Sequence, residues 1–199
     1  MSTRRIGAED SASRAALLDA AQALMTEEGY AAVTSRKVAA RAGLKPQLVH
    51  YYFRTMDDLF LALLQRGAER NLERQARALA SSQPLWALWE LTNQSTGTAL
   101  NIEFTALANH RKSIKADIAE YAATFRRRQL EVLEEVLAGY GLDEERVPAV
   151  ALLALMNAIT QVLTMEEGLG FDLGHAELRA LVEQHLTELE GPRTAAARS

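Results

Sequence analysis

Apolar side chains recur at three- and four-residue intervals along almost the whole of this 199-residue chain, and this period most constrains its fold. Such spacing lines one face of an α-helix, whereas a half-buried strand needs an alternation of period two, which nowhere persists here. Pro46, Pro84 and Pro148 each precede an apolar-periodic run, as expected of a proline in the first turn of a helix. The sequence therefore predicts an all-α fold.

The residues that flank the periodic runs place the predicted helices. Thr34 and Thr55 are suited to cap helices, and Asp57 and Asp58 lie where the dipole of the following helix favours negative charge. Gly29 is a typical residue to end the first helix. The predicted helices cover about residues 13–28, 35–42, 46–52, 56–79, 84–94, 98–109, 113–138, 145–166 and 175–189.

Several kinds of function are excluded by what the sequence lacks. Without cysteine, the chain forms no disulfide, has no thiolate nucleophile and has no cysteine-ligated zinc site. Its histidines are isolated; His175 and His185, for example, do not have the spacing of a helical ligand pair. Neither a nucleotide-binding glycine loop nor a GxSxG or HExxH motif occurs. We therefore predict no catalytic residue, no metal site, no cofactor and no enzymatic activity.

Charge is distributed unevenly along the chain. The formal net charge is −4, yet residues 1–80 hold 12 basic and 9 acidic side chains, whereas residues 81–199 hold 10 and 17. Between Glu28 and Asp57 there is no acidic residue, and the basic residues in this interval are Arg36, Lys37, Arg41, Lys45 and Arg54. A local basic patch attracts polyanions. The charges alone also allow a chance cluster on a solvated surface.

Residues 34–52 have the pattern of two short helices joined by a tight turn at Gly43. Small or branched apolar residues suited to lock the two helices together are Val38, Ala39 and Val49. In a helix-turn-helix unit, the second helix presents its N-terminal residues to the major groove of DNA, and the first helix crosses the phosphate backbone. Arg36 and Lys37 lie at the start of the first helix, where both their charge and the helix N-terminus attract phosphate.

The segment from Gly29 to Phe60 resembles the tetracycline-repressor (TetR) family of bacterial transcription regulators. The motifs that carry the resemblance are Gly29-Tyr30, Thr34, Val38-Ala39, Ala42-Gly43, Tyr51-Tyr52-Phe53 and the helix opening with Thr55, Asp57 and Leu59. The resemblance implies an N-terminal three-helix helix-turn-helix DNA-binding unit and a C-terminal six-helix ligand-binding and dimerisation domain. We expect the DNA-binding domain at residues 1–55, the helical domain at 56–191 and a flexible tail at 192–199.

The resemblance also implies roles for individual residues at the DNA. Arg36 would reach the groove or a phosphate, and the residues expected to face base edges are Lys45, Pro46, Gln47 and His50. The residues expected to fix the register on phosphates are Thr34, Ser35, Lys37, Tyr51, Tyr52 and Thr55.

Three positions depart from the family pattern. Lys45 stands where a hydroxyl residue is common, so we expect the third helix to lack its usual side-chain cap. Pro46 is expected to compensate, because its fixed φ angle suits the first position of a helix. His50 stands where a tyrosine is common, which changes the expected base contact. Met56 stands where a lysine is common, so one phosphate contact is expected to be lost.

For the later helices, the resemblance implies a small-molecule pocket. Residues that supply apolar bulk or polar groups for such a pocket are Trp86, Trp89, Asn93, Phe104, His110, Tyr121, Phe125, Met156, Asn157 and Thr160. Each aromatic residue among them also suits an ordinary hydrophobic core. The ligand is not readable from the sequence.

The stretch from Val147 to Met165 allows two interpretations, because it is 19 residues long and carries no charge. A membrane span needs about that length. Asn157, Gln161 and the acidic residues at both ends of the stretch disfavour a span. A soluble helix that is apolar on nearly all sides must be covered by protein, so we predict a homodimer through the last two helices and no membrane association. The N-terminal residues lack the apolar core of a secretory signal, which gives the expectation of a cytoplasmic protein.

These observations lead to one functional hypothesis and one alternative. The hypothesis is a ligand-responsive regulator, a repressor, that binds palindromic operator DNA as a homodimer and is released by a small-molecule effector. The alternative is an all-helical small-molecule-binding protein or enzyme that has lost its DNA role, and the departures at Lys45 and Met56 favour it.

Overall fold

The computed structural model describes residues 3–93, 95–141 and 148–194, with the side chains of all of these except 3–11 and 95–96. These residues form α-helices and two 3-10 turns with no strand among them, which confirms the predicted all-α class. The helices are α1 (Thr3–Glu28), α2 (Ser35–Arg41), α3 (Pro46–Tyr52), α4 (Met56–Leu79), α5 (Pro84–Thr92), α6 (Ser95–His110), α7 (Lys115–Gly139), α8 (Ala149–Gly168) and α9 (His175–Glu190). The 3-10 turns are Tyr30–Ala32 and Lys112–Ile114.

The predicted helix bounds hold best where caps and prolines mark them, as they do for α3 and α4. The prediction was wrong for the start of α1, which begins at Thr3. Its first ten residues have no apolar period, so nothing in their pattern reveals a helix. α6 begins at Ser95, a few residues earlier than predicted, and a 3-10 turn delays α7 to Lys115. The predicted start of the eighth helix, near residue 145, lies outside the described residues.

Side-chain and proline caps explain where the short helices begin. The Thr34 side chain accepts a hydrogen bond from the Lys37 amide at 3.3 Å, as predicted for the cap of α2. Thr55 and Asp58 form a reciprocal capping box, in which each amide donates to the other side chain, at 3.0 and 3.1 Å. Lys45 precedes α3 without a side-chain cap and Pro46 occupies its first turn, as expected from the sequence.

The described chain divides into two compact units. The first unit comprises the residues up to Gly67 together with Leu100–Tyr121. Its core joins α1, the helix-turn-helix and the neighbouring parts of α4, α6 and α7 through the fully buried side chains of residues such as Leu17, Met25, Val38, Val49, Leu63 and Leu107. The helix-turn-helix therefore packs on a core to which residues beyond position 55 contribute much of the apolar surface.

The second unit comprises Ala68–Ala99 and the residues from Ala122 onward. Its core is a smaller cluster formed by Leu85, Leu88, Leu133, Leu137, Ala149 and Leu153. The boundary predicted at residue 55 does not coincide with this division, which groups residues by their contacts and places the first break after Gly67. The assignment of DNA binding to residues 1–55 and of ligand binding to residues 56–191 remains a prediction.

The end of α9 is tied to the start of α5 by a polar network within the second unit. The Glu190 carboxylate accepts hydrogen bonds from the Leu85 and Trp86 amides at 2.8 and 3.0 Å and from the Tyr140 hydroxyl. The Gln83 carboxamide donates to the carbonyls of Glu190 and Pro192 at 3.2 and 3.0 Å. Because these amides belong to the first turn of α5, the carboxylate replaces the missing N-terminal cap of that helix.

The first residues of the predicted flexible tail also take part in contacts. The Thr194 amide and hydroxyl both donate to the Gln83 side-chain carbonyl at 2.8 Å, and Arg193 forms an ion pair with Glu90. The rest of the predicted tail, from residue 195, lies outside the described residues.

Candidate nucleic-acid interface and ligand cavity

The turn between α2 and α3 has the geometry of a helix-turn-helix. Gly43 adopts φ +67° with nothing within 4 Å of a Cβ built at this position, so the residue is needed for its left-handed backbone and not for space. Ala39 accepts the Leu44 amide at 2.9 Å, which closes the turn. Val38, Ala39 and Val49 are fully buried, as predicted for residues that hold the two helices together.

The residues predicted to contact DNA lie on or beside these two helices, mostly at the surface. The exposed members of the set are Thr34, Arg36, Lys37, Lys45, Pro46, Gln47, His50, Tyr51 and Thr55, whereas Ser35 and Tyr52 are half-buried. Tyr51 is 69% exposed and makes an edge contact with the Tyr52 ring at 5.0 Å. Phe53, by contrast, is buried in the core of the first unit, with the Arg14 guanidinium 5.3 Å from its ring centre.

Two basic residues of the helix-turn-helix are held in ion pairs by the last turn of α1. The Lys37 ammonium lies 2.6 Å from a Glu28 carboxylate oxygen. The Arg41 guanidinium donates to both oxygens of Glu27 at 2.6 and 2.7 Å, and this hydrogen bond is the main reason why the pKa of Arg41 is raised. Neither pair was predicted from the sequence, because the two acidic residues lie just outside the acid-free interval.

The remaining basic residues of that interval are positioned differently. Arg36, Lys45 and Arg54 are exposed, and none of them takes part in the ion pairs found among the described residues. These three cations are therefore the ones already available to a polyanion at this surface.

α6 supports the helix-turn-helix from behind, through Glu103. A Glu103 oxygen accepts the Tyr30 amide at 2.7 Å, just before α2. Gly29 next to it adopts φ +83°, and a Cβ there would come within 3.5 Å of the same carboxylate. The His110 ring also stacks on Tyr30, with 5.7 Å between ring centres.

A second support lies at the start of α4. Asp57 accepts hydrogen bonds from the Ser113 hydroxyl at 2.7 Å and from the Arg111 guanidinium. Burial alone would raise the pKa of Asp57, but the hydrogen bonds from Ser113 and Arg111 together with the Arg111 charge lower it below its usual value. Arg111 also lies 5.3 Å from the Phe60 ring centre. Neither Glu103 nor this cluster could be found from the sequence, because their partners are more than fifty positions away in the chain.

The residues predicted to form a ligand pocket are not brought together as one group. Phe104 is buried in the core of the first unit, His110 is exposed, and Tyr121 lies at the last position of that unit. The other predicted residues lie in the second unit. Trp86 donates its indole N–H to the Gly191 carbonyl at 3.1 Å, and Asn93 donates to the Trp89 carbonyl at 2.8 Å. Trp89 is buried and Phe125 half-buried.

Two of the predicted ligand residues, Met156 and Asn157, do line a small cavity in the second unit. The cavity measures about 30 Å³ and is also lined by Leu79, Leu88, Leu133 and Leu153 and by the polar residues Gln75, Thr92 and Gln129. Thr160, one turn further along α8, is buried and donates its hydroxyl to the Met156 carbonyl at 2.9 Å. Polar residues of this cavity that the sequence analysis missed are Gln75, Thr92 and Gln129; they follow no sequence motif.

α8 and α9 leave apolar side chains uncovered. Leu155, Ala158, Val162 and Met165 recur at three- and four-residue spacing on α8 and are exposed, and so are Leu181 and Leu189 on α9. α8 is also long and apolar enough to cross a membrane by length and composition, with only 22% of its apolar window buried. Among the described residues, no cluster of side chains suits a metal ion.

Comparisons with known proteins agree with this geometry. Residues 17–63 match the family described as bacterial regulatory proteins, tetR family. The chain is 28% identical over 177 residues to the uncharacterized HTH-type transcriptional regulator in the dhlA 5′ region of Xanthobacter autotrophicus, covering 81% of this chain and 80% of that protein.

Solved structures share the fold along most of the chain. A transcriptional regulator from Rhodococcus sp. Rha1 matches with a TM-score of 0.67 and 22% identity, covering 89% of this chain and 94% of its own. The multidrug binding protein EbrR, solved in complex with ethidium, matches with a TM-score of 0.56 and 26% identity, covering 78% of this chain and 88% of its own.

The helix-turn-helix, its supporting core and these similarities define a DNA-binding transcriptional regulator. The match of residues 17–63 and the similar regulators support a TetR-family transcriptional regulator, as the motifs between Gly29 and Phe60 had indicated.

Proposed function

We propose that the protein is a ligand-responsive transcriptional repressor that binds palindromic operator DNA as a homodimer and is released by a small-molecule effector. The observation that carries the proposal is the α2–α3 unit, whose apolar residues close a core while Arg36, Gln47 and His50 stand exposed. We also propose that the protein is cytoplasmic, as binding to operator DNA would require.

The proposed DNA contacts follow from the chemistry of the exposed side chains. Gln47 is suited to a bidentate hydrogen bond with adenine, and His50 can donate to a guanine acceptor. Lys45 and Pro46 bring the first turn of α3 to the groove. The residues proposed to contact phosphate are Thr34, Ser35, Arg36, Lys37, Tyr51, Tyr52 and Thr55. In a twofold dimer the half-sites are about one helical turn apart, roughly 34–36 Å.

The cavity of the second unit is the proposed starting point for the effector site. A drug-sized ligand needs about 300–1,000 Å³, far more than the cavity offers, so binding must be accompanied by opening of the helices around it. Gln75 and Leu79 of α4 belong to its lining, and the other end of α4 follows directly on the helix-turn-helix. An effector that binds the opened form would shift the population of α4 positions and thereby weaken DNA binding. DNA must then weaken effector binding by the same factor.

The lining of the cavity favours an uncharged effector. It contains amide and hydroxyl groups but no Asp, Glu, Lys or Arg. Moving an unpaired ion from water into such surroundings costs roughly several kcal/mol. EbrR was solved with ethidium, which is a cation. We therefore expect the Tm of this protein to rise with the neutral ring compound phenanthridine more than with ethidium; the opposite order would contradict an uncharged effector.

The exposed apolar faces of α8 and α9 support the proposed homodimer. They extend over two helices of the same unit, as an interface that buries a shared apolar surface would require. α8 also carries Asn157, Gln161 and Thr164 and ends in Glu166 and Glu167, which suits contact with protein better than contact with lipid.

DNA binding is tested with the full chain and duplex DNA from the region upstream of its own gene, in gel shifts at several salt concentrations. Gln47→Ala should lose discrimination between sequences, by about 1–3 kcal/mol at one position, whereas Arg36→Ala should weaken binding to all sequences alike. Absence of binding even at low salt, where phosphate contacts are strongest, would refute the proposal.

A further inference from the structure

The two glutamates that end α1 compete with DNA for the basic residues of α2. We propose that Glu27 and Glu28 hold Arg41 and Lys37 in ion pairs that DNA phosphates must displace, and that they thereby set the affinity and the salt dependence of DNA binding. The inference rests on the proposed function, because it assumes that this surface contacts phosphate.

The geometry of the pairs carries the first step. The Lys37 ammonium is 2.6 Å from Glu28, and Arg41 makes two parallel hydrogen bonds with Glu27 at 2.6 and 2.7 Å. Lys37 is in the first turn of α2, which in a helix-turn-helix crosses the phosphate backbone. The free protein thus presents these two cations already neutralised, at a place where their charge would otherwise attract the polyanion.

The exposure of the pairs makes exchange possible. The side chains of Lys37 and Glu28 are 51% and 44% exposed. Exposed ion pairs of this kind contribute little to stability. A phosphate that replaces the carboxylate gains a charge-assisted hydrogen bond and releases condensed counterions from the DNA. The ion pairs are therefore weak enough for DNA phosphates to displace the glutamates, yet breaking them reduces the affinity of the protein for DNA.

The position of the glutamates indicates that they do not serve the stability of α1. They occupy the last turn of the helix, and no basic residue belongs to that turn. Negative charge at a helix C-terminus opposes the helix dipole and so disfavours the helix. Neutralising Glu28 should therefore leave the Tm unchanged or raise it, whereas a residue that only tied α1 to α2 would lower the Tm when it is removed.

A double-mutant cycle on the Lys37–Glu28 pair tests the inference. The variants are Glu28→Gln, Lys37→Met and the double variant, with Glu120→Gln as a control that removes one exposed negative charge from α7 of the same unit. Binding is measured by fluorescence anisotropy on a random-sequence duplex of about 30 base pairs, long enough for two half-sites. The salt series runs from about 50 to about 200 mM KCl.

We expect Glu28→Gln to raise DNA affinity by about threefold to tenfold at the lowest salt and to steepen the salt dependence by about one phosphate contact. In the Lys37→Met background this gain should shrink to the small effect of Glu120→Gln, because no cation is left to release.

Two outcomes would overturn the inference while leaving the proposed function intact. One is an equal gain with and without Lys37, which would assign the effect to general repulsion. The other is a lower Tm for Glu28→Gln with unchanged DNA affinity, which would make the pair a structural tie. If the unmodified protein binds no duplex at any salt concentration, the proposed function fails and the inference falls with it.

Discussion

The two units of the molecule treat their apolar side chains differently. Among the described residues, the first unit exposes one large apolar side chain, that of Tyr51, which lies on the proposed DNA surface. The second unit exposes Val132, Val150, Leu155, Val162, Met165, Leu169, Phe171, Leu173, Leu181 and Leu189. The described part of the first unit covers nearly all of its large apolar side chains, whereas that of the second unit leaves many of them exposed.

This difference supports the proposed division of roles, in which one unit binds DNA and the other forms the homodimer. The helix-turn-helix needs a rigid support, since base contacts require precise positions. Its fully buried residues, such as Leu17, Val38 and Leu63, supply that support within the unit. Exposed apolar patches as extensive as those of α8 and α9 typically mark interaction sites. A closed core in the first unit and exposed apolar faces in the second are therefore what the proposed rigid DNA reader and the proposed dimer interface require.

The largest expected effect concerns the exposed face of α8. Leu155→Glu combined with Val162→Glu should convert a dimer of twice 21.9 kDa into a monomer, because each change places a charge in an apolar interface. Analytical ultracentrifugation checks the mass, and Ala119→Glu, at an exposed position of the first unit, is the control that should stay dimeric. A monomeric unmodified protein, or one that binds neutral lipid vesicles, would contradict the proposed interface.

Much of the first unit could be predicted from the sequence, because its signals are local. Pro46 marked the start of α3, Thr55 and the two aspartates that follow it marked that of α4, and Gly43 marked the turn. Glu103 and the Glu28–Lys37 pair were missed, since they depend on which helices meet in space. The ion pairs also correct the view of the acid-free interval as a uniformly available basic patch.

The second unit was less predictable for the same reason. The ten proposed ligand residues were chosen by type, and only Met156 and Asn157 line the cavity. Aromatic bulk does not distinguish a pocket wall from a core, and Trp86 illustrates this: its indole N–H is satisfied by Gly191. The exposed apolar face of α8 was predictable, because a helix that is apolar on nearly all sides exceeds what one small core can cover.

The next effect compares the buried core of the first unit with the exposed apolar face of α8. Leu63→Ala removes a fully buried side chain from the first unit and should lower the free energy of unfolding by about 2–5 kcal/mol. Leu155→Ala, at a 58% exposed position, should change the stability of the monomeric form by less than about 0.5 kcal/mol. Urea unfolding at a protein concentration low enough for the otherwise unmodified chain to be monomeric measures both. Similar losses for the two variants would mean that α8 is covered within its own chain.

A smaller effect is expected at the polar network that closes the second unit. Glu190→Ala leaves the Leu85 and Trp86 amides and the Tyr140 hydroxyl without their acceptor, so the free energy of unfolding should fall by about 1–3 kcal/mol. Glu188→Ala, two residues earlier and exposed, is the matched control and should cost less than about 0.5 kcal/mol. Equal effects of the two substitutions would show that Glu190 does not cap α5.

The smallest effect is a pH dependence of the same network. Burial, together with the hydrogen bond to Glu190 and its negative charge, raises the pKa of Tyr140 from 10.0 to about 12. Because the folded state keeps the phenol protonated to higher pH than the unfolded state does, the stabilisation is complete below pH 10 and is lost as the pH rises toward about 12. Tyr140→Phe should therefore be less stable than the unmodified protein below pH 10. The difference between their free energies of unfolding should shrink as the pH rises from 10 to about 12. A Tyr140→Phe deficit that stays constant from pH 9 to about 12 would mean that the hydroxyl contributes no proton linkage, and that the Glu190 carboxylate serves the α5 amides alone.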